Sequence, residues 1–363
     1  MNWSPQQDAA LSAVARWLQS GTPQLFRLFG YAGTGKTTLA RHIAEGVDGD
    51  VVFAAFTGKA ALVLRHKGCA GAQTIHSLIY RSRGVEEESP TFVLNRESLA
   101  AKASLIIIDE CSMVDEDLGK DLLSFGTPVL VLGDPAQLPP VKGGGFFTDH
   151  EPDVMLTEVH RQAADNPIVR MSMIVREGGR LAVGDYGLSS VIRRDAVTPE
   201  MVLGADQVLV GTNRTRRAYN ARIRHLMGRT EPVPVVGEKL VCLRNDKSKG
   251  LLNGGAWIVQ ELKASKKGLV TMRVTPEDDT GGKPVKVSVL PNFFDGTEEE
   301  VPWELRRHTD EFTFGYALTV HKSQGSQWDD IVLFDEAYAF REHRARWLYT
   351  GLTRAAETIT VVM

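Results

Sequence analysis

Cysteine is scarce in this chain, and the few cysteines are far apart. Only three occur among the 363 residues, at Cys69, Cys111 and Cys242. They show no paired metal-ligand spacing, and such isolated thiols make no disulfide framework. The sequence therefore excludes a disulfide-stabilised mini-domain and a cysteine zinc site, and it indicates a reducing compartment.

Long apolar runs and a strong charge bias are also missing. No segment has the roughly 20 apolar residues that cross a bilayer, and the N-terminal residues lack a signal-peptide pattern. We therefore expect a soluble protein without a secretion signal or a membrane partner. The formal net charge is -3, so the chain is not a globally basic nucleic-acid binder, although a groove can still be locally positive.

The composition and length are those of an ordinary globular protein with more than one domain. Hydrophobic residues make up 43% and charged residues 24%, which argues against a wholly disordered chain. A length of 363 residues exceeds one ordinary core and suits two domains with small insertions.

The most informative motif is the glycine-rich stretch at residues 30–37. It reads Gly-Tyr-Ala-Gly-Thr-Gly-Lys-Thr and fits the phosphate-loop pattern G-x-x-x-x-G-K-[ST] between an apolar strand and a helix. Backbone N–H groups at such a helix start converge on phosphate oxygens. We expect ATP to be bound here by Gly33, Thr34, Gly35, Lys36, Thr37 and Thr38. Lys36 would reach the β- and γ-phosphates, and the Thr37 hydroxyl would hold Mg²⁺. The alternative is a glycine-rich turn without a ligand.

Two further apolar strands end in polar side chains that suit the same chemistry. Residues 104–108 run into Asp109 and Glu110, which would hold Mg²⁺ and deprotonate the attacking water, respectively. Residues 129–132 lead to Gln137, whose amide can touch the γ-phosphate or its water. The alternatives are a helix N-terminal acid pair and a proline-stiffened loop.

Nine blocks in order make the chain resemble superfamily 1 helicases of the RecD/Dda-like branch. The blocks lie at residues 4–9, 30–37, 56–61, 74–78, 109–114, 133–140, 156–162, 316–326 and 349–355. They span nearly the whole chain, and their combined order is far more specific than any one block after the phosphate loop. The resemblance implies a DNA helicase moving 5′ to 3′, in the cytoplasm of a bacterial or phage-infected cell.

The resemblance also implies roles for residues outside the phosphate loop. Arg161 and Arg354 match arginine fingers, and Gln7 matches an adenine reader. A surface ion pair is the alternative for each arginine. The implied DNA contacts are Thr57, His76, Ser77, Thr319, His321 and Lys322. For His76 and His321 the alternative is an interior or capping histidine.

Two positions depart from the family pattern. Cys111 stands where an alanine is frequent, and a buried thiol is a small apolar group. Gln327 stands where many relatives carry a glutamate. If that acid contacts the ribose, the Gln327 amide can still form the hydrogen bond.

Alternating strands and helices predict an α/β fold with two parallel-sheet domains, which the resemblance makes RecA-like. The first is predicted at 1–150 with a small insertion at 80–98, which is a strand-separating pin in the family or else a solvated loop. The second covers 151–235 and 312–363. A basic helix from Asn213 would be solvated or would face DNA. Short strands at 236–311 predict a small β-barrel, similar to the SH3-like insertion of the family.

The favoured function is an ATP-dependent helicase on single-stranded and forked DNA, with a replication or recombination protein as a further partner. The first alternative is a translocase that displaces proteins but separates duplex poorly. The second is an ATP-gated DNA-binding module without turnover, against which Glu110 and the two candidate arginine fingers argue.

Overall fold

The computed structural model describes most of the chain. Its ranges are 3–82, 92–139, 145–158, 165–246, 249–264, 268–277 and 284–363. Within these ranges, none of the helices combines the length and the apolar character that crossing a membrane requires.

A six-stranded parallel sheet forms the first domain. The strands of this half of the chain are β1 (Leu25–Gly30), β2 (Val51–Ala55), β3 (Gln73–Thr74), β4 (Tyr80–Ser82), β5 (Phe92–Leu94), β6 (Leu105–Asp109), β7 (Val129–Gly133) and β8 (Val154–Leu156). The sheet order is β3-β2-β6-β7-β1-β8, and every neighbouring pair is parallel. Along β6, Leu105 and Ile107 face one apolar core while Ile106 and Ile108 face another. Both faces are therefore covered, which explains the uniformly apolar strand.

Helices connect these strands, and several begin at a side-chain cap. They are α1 (Pro5–Ser20), α2 (Lys36–Glu45), α3 (Gly58–His66), α4 (Ile75–Ile79), α5 (Leu99–Lys102) and α6 (Glu116–Leu123). Ser4, Thr57, Thr74 and Asp115 each accept a hydrogen bond from a backbone N–H of the first turn. These caps fix where the chain leaves each strand end and turns into a helix.

The predicted small insertion at residues 80–98 contains a two-stranded antiparallel ladder. Strands β4 and β5 pair antiparallel, with Tyr80 opposite Leu94 and Ser82 opposite Phe92. Residues 83–91, which would connect the two strands, lie outside the described residues, as does the side chain of Phe92.

The second half of the chain contains a second sheet and a smaller antiparallel one. Its strands are β9 (Gly184–Tyr186), β10 (Ser189–Ile192), β11 (Gln207–Val210), β12 (Lys239–Cys242), β13 (Ala256–Lys263), β14 (Val270–Pro276), β15 (Val285–Val289), β16 (Phe312–Phe314), β17 (Ala317–Thr319), β18 (Trp328–Phe334) and β19 (Ala355–Val362). The larger sheet has the order β17-β11-β18-β19-β10-β9 and is parallel except at the β9–β10 edge.

The smaller sheet is fully antiparallel and has its own core. Its order is β15-β14-β13-β12-β16, and it packs around buried residues such as Leu240, Trp257 and Met272. The helices of this half are α7 (Pro167–Arg176), α8 (Pro199–Gly204), α9 (Asn213–Leu226), α10 (Asn292–Asp295), α11 (Trp303–Arg306) and α12 (Arg344–Leu352).

Two strands pair across the predicted domain boundaries near residues 150 and 311. Strand β8, at Val154–Leu156, pairs with β1, so the first domain extends beyond residue 150. Strand β16, at Phe312–Phe314, pairs with β12, so the small sheet extends beyond residue 311. Both strands lie at sheet edges, where hydrogen bonding to a distant strand, rather than any local break in the sequence, decides membership.

The small sheet is attached to both larger domains. On one side, Arg224 of α9 donates a 2.6 Å hydrogen bond to Glu238, and neither side chain is more than 8% exposed. On the other side, Leu252 packs against Gly58 at the start of α3. A Cβ atom built on Gly58 would lie only 2.5 Å from the Leu252 Cβ.

Candidate nucleotide cleft and nucleic-acid face

The glycine-rich loop has the backbone shape of a phosphate cradle. Gly33 and Gly35 have φ values of 79° and 82°, a region that side chains disfavour, and Gly35 caps the start of α2. The Lys36 Nζ donates to the carbonyl oxygens of Gly30 (2.6 Å) and Tyr31 (3.0 Å). The lysine ammonium is therefore held directly above the loop, where phosphates of a nucleotide would meet it.

Thr37 and Asp109 meet at the carboxyl end of the first sheet. The Thr37 hydroxyl donates to Asp109 Oδ2 at 3.0 Å, and the Glu110 N–H donates to Asp109 Oδ1 at 2.8 Å. Burial, followed by the negative charge of Glu110, raises the pKa of Asp109 above its ordinary value. Asp109 has no ion-pair partner within 4 Å among the described residues, and a hydroxyl beside a carboxylate is a donor set that fits Mg²⁺.

The loop after β7 supplies two buried polar side chains. Gln137 is 7% exposed, and its Oε1 has no hydrogen-bond partner among the described residues. Asp134, which sequence reasoning did not assign, accepts a 2.7 Å hydrogen bond from the Tyr349 hydroxyl of the second domain. Burial raises the pKa of Asp134. A buried amide oxygen with unused bonding capacity beside a phosphate loop suits contact with a bound nucleotide or its water.

The two parallel-sheet domains enclose one cavity of about 310 Å³ around these groups. This size is typical of small-molecule sites. Predicted site residues that line it are Gly33, Gly35, Lys36, Thr37, Thr38, Asp109, Glu110, Gln137, Gln327 and Arg354. The structure thus brings together residues that lie more than 300 positions apart in the sequence.

One wall of the cavity was missed by the sequence analysis. It consists of Ala60, Val63 and Leu64 on one face of α3, together with Lys67 at the C-terminal cap of that helix. Their spacing of three and four residues could have revealed one helical face, but not what that face would line. Asp134, Ser326 and Thr353 also line the cavity without having been predicted.

Arg354 enters the cleft from the second domain. Its side chain is 6% exposed, and its Nη2 lies 3.9 Å from Glu110 Oε1. Hydrogen bonds from Nε to Thr350 O (3.1 Å) and from Nη1 to Ser326 O (3.3 Å) hold the guanidinium in place. A preorganised arginine facing a carboxylate across a phosphate loop has the geometry of an arginine finger. Arg161 lies outside the described residues.

Gln7 and Thr34 lie behind the cavity wall rather than in it. Gln7 Nε2 donates to Thr34 O at 3.1 Å, while Gln7 Oε1 accepts from the Ser4 N–H at 3.0 Å. Both ends of this amide therefore brace the phosphate loop against the start of α1. Adenine recognition by Gln7 stays a prediction.

The predicted nucleic-acid residues of the first domain lie at two helix starts. The Thr57 Oγ1 accepts from the Ala60 N–H at 3.1 Å. Ser77 lies in the first turn of α4, where Thr74 is the cap and donates its hydroxyl to Ser77 Oγ at 2.8 Å. His76 is exposed beside Tyr80, so it is not the interior histidine considered as an alternative.

The matching residues of the second domain occupy a 3₁₀ turn at Val320–Ser323. The Thr319 Oγ1 accepts from the Lys322 N–H at 3.3 Å, and Lys322 is exposed. His321 is half-buried against Phe340, and burial lowers its pKa. A Cβ atom built on Gly325, two residues beyond this turn, would lie 3.0 Å from the Thr57 Oγ1. Thr57 of the first domain therefore lies next to the segment that follows this turn of the second domain.

Comparisons with known proteins agree with this architecture. The AAA domain family matches residues 2–196, more than half of the chain, and the UvrD-like helicase C-terminal domain matches residues 314–362. The ATP-dependent RecD2 DNA helicase of Deinococcus radiodurans is 30% identical over 92% of this chain and 46% of its own length. The ATP-dependent DNA helicase dda of Enterobacteria phage T4 is 31% identical over 58% of this chain and 54% of its own length. The chain thus spans about half the length of these two curated relatives.

Solved structures with the same fold include two Pif1 helicases. The Bacteroides Pif1 structure bound to ssDNA superposes with a TM-score of 0.60 at 20% identity, covering 99% of this chain and 92% of that one. The Candida albicans Pif1 helicase gives a TM-score of 0.59 at 20% identity, covering 100% and 94%. The chain therefore belongs to the AAA domain family, and its RecD2 and dda relatives confirm the predicted resemblance to superfamily 1 helicases of the RecD/Dda-like branch.

Proposed function

We propose that this protein is an ATP-driven helicase that moves 5′ to 3′ along single-stranded DNA and separates forked duplex. The observation that carries the proposal is the cleft itself. Lys36, Glu110 and Gln137 from the first domain and Arg354 from the second line one cavity. Both curated relatives are described as ATP-dependent DNA helicases.

We assign the roles of the predicted site residues from their motifs and from the family resemblance. Lys36 would bind the β- and γ-phosphates, Glu110 would take the proton of the attacking water, and Gln137 would orient that water. Arg354 would stabilise charge on the transferring phosphoryl group, with Arg161 as a second finger. Thr37 and Asp109 would hold Mg²⁺, which neutralises phosphate charge when bound. Gln7 would read adenine, and Gln327 would contact the ribose.

Movement along DNA would come from the same cleft. Because ATP would contact both domains, binding and hydrolysis would close and open them against each other. Thr57, His76 and Ser77 on one domain would alternate with Thr319, His321 and Lys322 on the other in holding the strand. Hydroxyl, imidazole and ammonium groups contact phosphate and sugar without reading sequence.

Two accessory elements would act on the duplex. The small insertion at residues 236–311 would be an SH3-like barrel; an antiparallel sheet with its own core beside α3 supports this proposal. The β4–β5 ladder supports a pin in the 80–98 insertion. Replacing residues 84 to 93 by a short Gly-Ser turn should leave ATPase stimulation intact and reduce fork unwinding. Normal unwinding by that variant would place the separating element elsewhere.

Two assays test the proposed function directly. Single-stranded DNA should stimulate ATP hydrolysis, and forks with a 5′ tail should be unwound in preference to forks with a 3′ tail. Lys36→Ala should abolish hydrolysis, and Glu110→Gln should bind ATP without turnover because an amide cannot take a proton. Stimulated hydrolysis without unwinding would favour the protein-displacing translocase. Absence of hydrolysis in the wild type would favour the ATP-gated binding module.

A further inference from the structure

We propose that Arg216 and Lys322 form a seat for one backbone phosphate of single-stranded DNA, and that Glu298 is the built-in counter-charge of this seat. The inference rests on the proposed function, because it needs a strand passing over the second parallel-sheet domain. Neither Arg216 nor Glu298 belongs to the sites described above.

Arg216 is a buried cation whose hydrogen-bonding capacity is mostly unused. The residue is 3% exposed, and its Nε donates to Asn213 Oδ1 at 3.3 Å. Among the described residues, its Nη1 and Nη2 have no hydrogen-bond or ion-pair partner. A buried guanidinium is costly unless its N–H groups are paired. Its planar fork of two nitrogens matches two oxygens of a phosphate.

Lys322 approaches the same point from a different element. Arg216 lies in the first turn of α9, behind the cap Thr212, whereas Lys322 lies in the turn that Thr319 caps. The strands that lead to these two turns are neighbours, with Val210 opposite Thr319. Both turns therefore open at the same edge of the sheet. Lys322 is exposed to solvent, yet the protein atoms around its ammonium and the positive charge of Arg216 lower its pKa.

Glu298 forms an ion pair with Arg217 and leaves Arg216 and Lys322 unbonded. Its Oε1 accepts from Arg217 Nη2 at 3.1 Å, whereas its Oε2 is occluded and has no hydrogen-bond partner among the described residues. Glu298 is not within ion-pair distance of Arg216 or Lys322, but its charge favours the charged form of both. Three cations and one carboxylate leave the cluster positive.

The anion that suits this seat is not the nucleotide. None of Arg216, Lys322 and Glu298 lines the cleft between the two domains. The seat instead shares its turn with Thr319 and His321, which are proposed to contact the strand. A diester phosphate presents two unesterified oxygens, which fits the two free nitrogens of Arg216 and a nearby ammonium.

The test compares variants of the full chain in binding a fluorescent oligothymidylate across a range of salt concentrations. Arg216→Gln should weaken binding by about tenfold, the scale of one charge-assisted contact, and lower the salt slope by about 0.7, the value for one phosphate of a single strand. Arg216→Lys should restore part of the slope. Arg222→Gln is the matched control, because Arg222 is exposed on the same helix and its substitution removes the same positive charge as Arg216→Gln does. It should leave affinity near that of the wild type.

Two further measurements separate a phosphate contact from a loss of structure. One methylphosphonate, moved along the strand, should weaken wild-type binding at one position and have no additional effect on Arg216→Gln. Glu298→Gln should tighten binding severalfold, because it removes the competing negative charge. This variant tests the seat even if Arg216→Gln fails to fold.

The outcomes distinguish this inference from the proposed function. If the wild type binds single-stranded DNA and shows stimulated hydrolysis, but Arg216→Gln keeps the wild-type affinity and salt slope, the phosphate seat is rejected and the proposed function stands. A loss in Arg216→Gln that is equal at every methylphosphonate position would also reject it, since the effect would then be structural. A wild type that does not bind single-stranded DNA would reject both.

Discussion

Tyr349 and Asp134 join the two parallel-sheet domains through one buried hydrogen bond. The Tyr349 hydroxyl donates to Asp134 Oδ2 at 2.7 Å and accepts from the Ala32 N–H of the phosphate loop at 3.0 Å. Burial, followed by the charge of Asp134, raises the pKa of Tyr349, so the hydroxyl keeps its proton. One side chain of the second domain is thus bonded to both nucleotide-facing loops of the first.

Removing this hydroxyl should loosen the cleft. Tyr349→Phe keeps the ring but removes the hydrogen bond to the buried Asp134 Oδ2, which costs about 1–3 kcal/mol, while Asp134 Oδ1 keeps its bond from the Ala136 N–H. We expect a lower melting temperature, weaker ATP binding and slower DNA-stimulated hydrolysis. Differential scanning fluorimetry and single-strand-stimulated turnover would measure these effects. Tyr338→Phe is the matched control, because Tyr338 is 69% exposed and should tolerate the change. Equal behaviour of the two variants would contradict a role of Tyr349 in joining the domains.

Arg354→Ala should reduce turnover far more than ATP affinity. The guanidinium is preorganised by bonds within its own domain and faces Glu110, so its contribution falls on transition-state charge. Loss of a finger lowers the rate on the order of 10³–10⁵. Turnover and nucleotide affinity should be measured on the same preparation. An effect confined to affinity would make Arg354 a ground-state binding residue.

Asp109→Asn should inactivate the protein without destabilising it. The folded state raises the Asp109 pKa, so it holds this proton more tightly than the unfolded chain does. Ionised Asp109 therefore costs stability, and this cost develops as pH rises from about 4, the unfolded value, through the raised pKa. At neutral pH the variant should melt at or above the wild-type temperature, and the difference should shrink toward pH 4.

Magnesium with a nucleotide provides the complementary measurement for Asp109→Asn. Magnesium and nucleotide added together should raise the melting temperature of the wild type more than that of Asp109→Asn, because the variant lacks one anionic ligand for the metal. If Asp109→Asn melts below the wild type at neutral pH, neighbouring groups offset the cost of burying the ionised Asp109 carboxylate.

Gly58→Ala should displace the small antiparallel sheet from the first domain. The new methyl would lie 2.5 Å from the Leu252 Cβ, a distance that forces the loop away. Leu252→Gly in the same chain removes the clash and should restore the wild-type phenotype. Hydrogen exchange of residues 249–254 and the affinity for single-stranded DNA would distinguish the displaced sheet from the restored contact. If Gly58→Ala alone behaves as wild type, the contact is adaptable.

The sequence was sufficient where a function depends on a few consecutive residues. The phosphate loop, Asp109 with Glu110, and Gln137 could be predicted because each follows a strand at a fixed offset, and all of them line one cavity. Both parallel sheets were also predictable, since β6 and its neighbours are apolar on both faces.

What the sequence could not give depends on packing between distant segments. Nothing near Asp134 indicates a tyrosine 215 residues away, and nothing near Arg216 indicates that its guanidinium is buried with two free nitrogens. The pairing of edge strands across the predicted boundaries near 150 and 311 could not be predicted for the same reason. Strands β8 and β16 join sheets whose other strands lie far from them in the chain.

The contact between Leu252 and Gly58 also has a topological consequence. If the proposed DNA strand passes beneath the contact of Leu252 with Gly58, that contact closes a ring of protein around it. A linear strand could thread through such a ring by its end, whereas a circular strand could enter only after the Leu252 loop had swung aside. Loading on single-stranded circles should therefore be slower than loading on linear strands of equal length, and once loaded the protein should resist competitor DNA for longer.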